Sequence, residues 1–146
     1  MMIIEVTSEQ ETKELAGKIA ATLKGGEVFE LVGDVGAGKT TFVKGLAKGL
    51  TVDDDVQSPS FTISRVYDAR DGLQLAHYDF YRLNDPGIMA NELSEMMHDP
   101  KTITVIEWAD IVEGVLPENH FTITFESPSE NDRKITLSET LGAQLS

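Results

Sequence analysis

The chain has 146 residues, 12 Lys and Arg against 25 Asp and Glu, a net charge of −13 and no cysteine. That length suits one domain, expected over residues 1–146, and the missing thiols exclude disulfide scaffolds, Cys-ligated zinc, iron–sulfur clusters and Cys nucleophiles. A fold this acidic repels phosphate, which argues against direct wrapping of nucleic acid and leaves any contact with RNA to a partner.

The first predicted element is a helix. Ser8 with Glu11 three positions on has the form of a capping box, and Leu15, Ile19 and Leu23 follow on one apolar face. Gly25-Gly26 is expected to stop it. Val28 to Val32 reads as a strand, in which Glu30 is out of place if both faces are buried. Gly33 to Thr40 is a glycine-rich turn. Thr41 to Leu50 is a second helix, with Phe42, Leu46 and Leu50 at helical spacing and with Gly45 and Gly49 expected to weaken it. Thr51 to Ser60 is a polar loop. Phe61 to Asp68 and Leu73 to Tyr81 form a hairpin about Asp71-Gly72. Asn84 to Gly87 turns the chain into a helix from about Ile88 to Met97. Thr102 to Glu107 is a β-branched strand, and Phe121 to Glu126 with Lys134 to Leu137 make a final antiparallel pair. The tail after Ser138 is expected to fray. The order implies an α/β fold with a mixed, mainly parallel sheet, helices on both faces and antiparallel additions, and the sequence Gly33 to Thr40, G-x-x-x-x-G-K-T, makes it one of the P-loop NTPase type.

Gly33-Asp34-Val35-Gly36-Ala37-Gly38-Lys39-Thr40 fits G-x-x-x-x-G-K-[ST] between a strand and a helix. Glycines let backbone N–H groups turn inward as an anion nest. The following helix N-terminus adds its positive dipole end. This assigns phosphate binding to Asp34, Val35, Gly36, Ala37, Gly38, Lys39, Thr40 and Thr41, with Lys39 on the outer phosphates and the Thr40 hydroxyl suited to Mg²⁺. The cofactors expected are therefore ATP and Mg²⁺.

Phosphoryl chemistry also needs an acid near the ion. Glu107 ends the cleaner strand and is the first candidate for the metal-linked acid. Asp79 ends a more polar strand and is the second, as a positioner of water or magnesium. Lys39, Asp79 and Glu107 are the expected catalytic set, and Thr40 and Glu107 the expected metal side. Solvated carboxylates at strand ends are the competing reading. His77 and His98 lack ligand spacing. Ser58, Ser60 and Thr62 are either turn hydroxyls or part of a loop that senses the third phosphate.

The glycine loop is followed in order by Ser58-Pro59-Ser60-Phe61-Thr62, His77-Tyr78-Asp79-Phe80-Tyr81-Arg82-Leu83 and Ile106-Glu107-Trp108. Together these strings resemble the bacterial tRNA threonylcarbamoyladenosine biosynthesis ATPase family, TsaE, from about Glu9 to Arg133. The segment Ile88 to Pro100 follows the family pattern only loosely. The resemblance implies a small ATPase, slow on its own, that works with the TsaB and TsaD transferase complex in threonylcarbamoyl transfer to the adenosine beside the anticodon. It implies that Ser58 to Thr62 is a switch-like loop and that Trp108 lies near the nucleotide. The charge of −13 adds the expectation that tRNA is met only indirectly. No apolar run nears the roughly 18–20 residues of a membrane span, and Met1-Met2-Ile3-Ile4-Glu5 has no basic stretch leading into an apolar one, so no membrane partner and a cytoplasmic location are expected. The rivals are a metabolite kinase, disfavoured by scattered Arg65, Arg70, Arg82 and Arg133 with no room for a lid, and a nucleotide-gated adaptor without turnover.

Overall fold

The computed structural model describes residues 2–33, 38–52, 64–80, 89–130 and 132–145. Its elements are β1 (Met2–Val6), α1 (Glu9–Ala20), β2 (Val28–Val32), α2 (Lys39–Gly49), β3 (Ser64–Asp68), β4 (Gln74–Asp79), α3 (Met89–His98), β5 (Thr102–Glu107), β6 (Phe121–Glu126), β7 (Arg133–Leu137) and α4 (Glu139–Leu145). Short 3₁₀ turns lie at Arg70–Gly72 and Ala109–Val115.

All seven strands share one sheet, ordered β1-β7-β6-β2-β5-β4-β3. The centre, β6-β2-β5-β4, is parallel. β3 adds antiparallel at one side, and β7 then β1 add antiparallel at the other. The expected mixed sheet is therefore present, and its antiparallel ladders match the parallel ones in number. β6 does more than pair with β7, because it also runs parallel to β2.

Side chains of β2 alternate between two cores. Phe29 and Leu31 pack with Leu15 and Ile19 of α1, Phe42 and Leu46 of α2, and Val105 of β5. Val28 packs on the other face with Tyr78, Ile106, Leu93 and Met97 of α3, and Val112. Burial on both faces explains the near-continuous apolar runs of β2 and β5. Glu30 has its answer here. It is 8% exposed, and its Oε1 lies 3.2 Å from Nε2 of His120, whose Nδ1 donates to the Pro117 carbonyl at 2.6 Å. A buried carboxylate is tolerable only with such a partner.

Helix α1 begins as expected: the Ser8 hydroxyl accepts from the Glu11 N–H at 3.2 Å. Glu11 reaches back one residue further than a capping box requires, to the Thr7 hydroxyl at 2.6 Å. The helix ends at Ala20, ahead of Gly25-Gly26, because Thr22 and Leu23 already donate to the Ile19 and Ala20 carbonyls in tighter turns. Arg70 seals both helix ends. Its guanidinium donates to the Gly49 carbonyl at the end of α2 and to the Ala20 and Leu23 carbonyls after α1, at 3.0, 3.1 and 3.2 Å. A cation is favoured there by the helix dipoles.

Four expectations need correction. The tail after Ser138 is a helix, α4, anchored by fully buried Leu141. The segment 2–6 pairs with β7 as an edge strand that the pattern did not suggest. Helix α2 starts at Lys39 rather than Thr41. Gly45 and Gly49 are contact residues rather than weak points: an added Cβ would lie 2.7 Å from Lys13 Cα at position 45 and 2.6 Å from Ala20 Cβ at position 49. Residues 53–60 of the loop predicted from Thr51 to Ser60 and the turn predicted at 84–87 lie outside the described residues, as do Phe61 to Ile63, Tyr81 and Ile88 of the neighbouring predicted elements.

The turn into β5 is held by Asp99, whose carboxylate accepts from the Lys101 N–H at 2.9 Å, the Thr102 hydroxyl at 3.0 Å and the Gln74 amide at 3.4 Å. Those donors, the Lys101 N–H foremost, hold its carboxyl below the usual range.

The α1–α2 contact yields a paired test. Gly45→Ala gains helix propensity of about 1 kcal/mol but drives a methyl into the Lys13 backbone, an overpacking cost of about 1–3 kcal/mol. At Gly17 an added Cβ meets nothing within 4 Å, so Gly17→Ala collects the propensity alone. Thermal melting should show Tm lowered by Gly45→Ala and held or raised by Gly17→Ala.

Candidate nucleotide site

The site lies where three parallel strands end. In register, Leu31 of β2 stands beside Glu107 of β5, and Glu107 beside Asp79 of β4. In-register side chains of parallel strands share a face, so both carboxylates sit together at the carboxyl edge of the sheet. That edge is where open α/β sheets take ligands. Asp79 is 8% and Glu107 3% exposed. Two carboxylates this close and this dry repel each other, and a cation between them relieves that cost.

Beside them β2 turns into α2. Gly33 takes φ 153° and lies so close to β6 that a Cβ would stand 2.6 Å from the Phe125 carbonyl oxygen. Gly38, at φ 107°, is the N-cap of α2. A glycine there has no side chain with which to cap the helix, and the first turn carries no acid. Thr40 and Thr41 lie half-buried in that first turn. Asp34, Val35, Gly36 and Ala37 lie outside the described residues.

Lys39 is 5% exposed. Its Nζ donates to the Gly33 carbonyl at 2.6 Å and stands 4.0 Å from the centroid of the Trp108 ring, a cation–π distance. Trp108 holds φ 57° immediately after Glu107. This left-handed backbone is costly for a bulky residue and turns the indole back over the lysine.

Thr40, Asp79 and Glu107 offer only hard oxygen donors, which suits Mg²⁺. Among the described residues no group of three or more His, Asp or Glu could hold a metal ion without other ligands. A divalent ion here would complete its shell with phosphate oxygens and water, as Mg²⁺ does at nucleotide sites. The Ser58 to Thr62 hydroxyls lie outside the described residues, as do Tyr81, Arg82 and Leu83.

His77, which lacks metal-ligand spacing in the sequence, joins this cluster in another capacity. His77 is completely buried, and its Nε2 lies 2.5 Å from Oε2 of Glu107. A usable signal was its position two residues before Asp79, which puts both on one face of β4. Tyr78, between them, points to the other core, and burial first, then the Glu92 carboxylate, pushes its hydroxyl up to about 12.

The strand–loop–helix, the parallel strand ends and the lysine at the helix start define an α/β protein of the P-loop class. The family profile "Threonylcarbamoyl adenosine biosynthesis protein TsaE" matches residues 6–135. The tRNA threonylcarbamoyladenosine biosynthesis protein TsaE of Bacillus subtilis is 41% identical over 87% of this chain and 78% of its own length. The protein of the same name from Treponema pallidum is 36% identical over 89% and 95%. The crystal structure of Bacillus subtilis YdiB superposes with a TM-score of 0.78 at 34% identity, covering 99% of this chain and 93% of that one. The chain belongs to the TsaE family.

The lysine–indole contact is open to a direct optical test. Trp108 is the sole tryptophan. A phosphate oxygen at this edge would compete with the Gly33 carbonyl for the Lys39 ammonium and shift it relative to the ring. ATP with Mg²⁺ should therefore change the intrinsic emission, and Lys39→Met should alter the emission without nucleotide and abolish the response.

Proposed function

We propose that this chain is a Mg²⁺-dependent ATPase that supports a TsaB–TsaD complex in threonylcarbamoyl transfer to the adenosine beside the tRNA anticodon. The observation that carries the reading is Asp79 beside Glu107 at one sheet edge, with Lys39 at the start of α2 lying against the ring of Trp108, the residue that follows Glu107. Lys39 and the backbone N–H groups of the first turn of α2 would hold phosphate oxygens. Thr40 and Glu107 would hold magnesium, and Asp79 would orient the attacking water or a magnesium-bound water. The ion, when bound, neutralises charge that builds on the phosphoryl oxygens. The residues themselves bind, orient and exclude bulk water.

Membership of the TsaE family supports the place in threonylcarbamoyladenosine biosynthesis. The charge of −13 supports a protein partner with a basic surface over bare tRNA. Among the described residues no helix is long and apolar enough to cross a membrane; the cytoplasmic location belongs to the proposed work on tRNA. Ser58 to Thr62 would form the nucleotide-sensing loop.

Lys39→Ala should abolish turnover or weaken ATP binding. Asp79→Ala and Glu107→Ala should each slow hydrolysis at least about tenfold, or ~1.4 kcal/mol in barrier, with Asp79→Ala keeping more of its ATP affinity than Lys39→Ala. Phosphate release from ATP and Mg²⁺, followed with the chain alone and with TsaB–TsaD, measures both. Wild-type turnover in both carboxylate variants would remove them from the site.

Partner binding supplies a separate test. Affinity for TsaB–TsaD should differ between ATP, ADP and no nucleotide, and linkage requires the complex to shift ATP affinity by the same factor. Association should slow as salt rises, because charge steering is screened over about 8–10 Å. Equal affinity in all three nucleotide states would refute the switch, and tight binding of free tRNA at physiological salt would refute the acidic-surface argument.

A further inference from the structure

Beneath the two carboxylates the sheet layer runs from Arg65 of β3 through His77 into apolar residues of β5 and β2. His77 has Val105 as its register partner on β5, and Val105 has Phe29 on β2, with Leu75 two residues earlier on β4. All three belong to the core under α1 and α2. An imidazole with no exposed surface is foreign to that layer and costs free energy to bury. Packing would be served as well by a leucine.

The ring makes one polar contact. Nε2 lies 2.5 Å from Oε2 of Glu107, and Nδ1 has no hydrogen-bond partner among the described residues. A carboxylate oxygen accepts, so the proton of the bond sits on Nε2. The arrangement wastes one nitrogen to place the other, as expected of a residue kept for the single bond it makes.

We propose that His77 is a positioning residue for Glu107. It occupies Oε2 and fixes the carboxylate rotamer, so that Oε1 is presented to the ion at the sheet edge. His77 is too deep to meet nucleotide or metal itself. Mg²⁺ tolerates little departure from octahedral geometry, so a carboxylate free to rotate binds it less well. Outer hydrogen bonds to ligating carboxylates are typically worth about 10–100-fold in metal affinity or activity. The inference rests on the reading of Glu107 as the magnesium-side acid.

Three substitutions test it. His77→Gln places an amide N–H near the position of Nε2, His77→Asn places it near Nδ1, and His77→Leu removes it. The readout is calorimetric affinity for a non-hydrolysable ATP analogue, with Mg²⁺ titrated in and with EDTA present. His77→Leu and His77→Asn should raise the Mg²⁺ concentration at half-effect by about 10–100-fold and leave the affinity in EDTA within about twofold of wild type. His77→Gln should recover most of the difference. Equal losses with Mg²⁺ and with EDTA would mean general damage to the fold and would overturn the positioning role, as would a Gln variant no better than Asn. Glu107→Gln is run alongside. A normal Mg²⁺ requirement in the His77 variants with an altered one in Glu107→Gln overturns the positioning role alone. A normal requirement in all of them overturns the reading of Glu107 and this inference with it.

Discussion

The parallel register of β2, β5 and β4 is the constraint from which the chemistry of this chain follows. Strand pairing alone sets Leu31, Glu107 and Asp79 side by side. A slip of one residue in β4 would turn Asp79 and His77 to the opposite face and put Tyr78 in their place. The fold resists that slip because Tyr78 is committed to the second core with Phe80, Leu93 and Met97, while Leu75 is committed to the first. The apolar residues of β4 thus hold its acid in place, and stability and site geometry share one cause.

Among the described residues the sheet carries two histidine–carboxylate contacts, one on each face, the first part-buried and the second fully buried. His120 answers Glu30 under the second core, and His77 answers Glu107 at the site. The chemistry is similar and the settings differ. His120 comes from a turn before β6, lies near the surface, and uses both ring nitrogens. His77 is central, uses one, and stands one layer below a second carboxylate. Only the second contact lies at the edge where nucleotide phosphates would approach.

Much of this was legible in the sequence, because local signals and tertiary structure agree there. Ser8 and Glu11 mark the start of α1, Asp71-Gly72 marks the hairpin, and the Gly33–Thr40 motif announces a strand, a loop and a helix. What escaped depends on neighbours distant in the chain. Met2 to Val6 is a strand because β7 offers it an edge, and α4 folds because Leu141 finds the first core. Gly45 and Gly49 look like flaws until α1 is laid against them. Glu30 and His77 are unintelligible without their partners, 90 and 30 positions away. Periodicity reports which face a residue takes and is silent on what faces it.

Arg70 has a reach beyond its own turn. One guanidinium holds carbonyls at the ends of both α1 and α2, and its backbone N–H donates to the Leu50 carbonyl at 2.8 Å. The hairpin turn and two helix termini, far apart in sequence, are thereby knotted at one cation. Fraying, which in most helices is a private event of the last turn, becomes a shared one. Shared bonds of this kind tie the backbone near Leu23, Leu50 and Leu73 to one side chain, so local opening at any of the three carries the loss of a contact at the others.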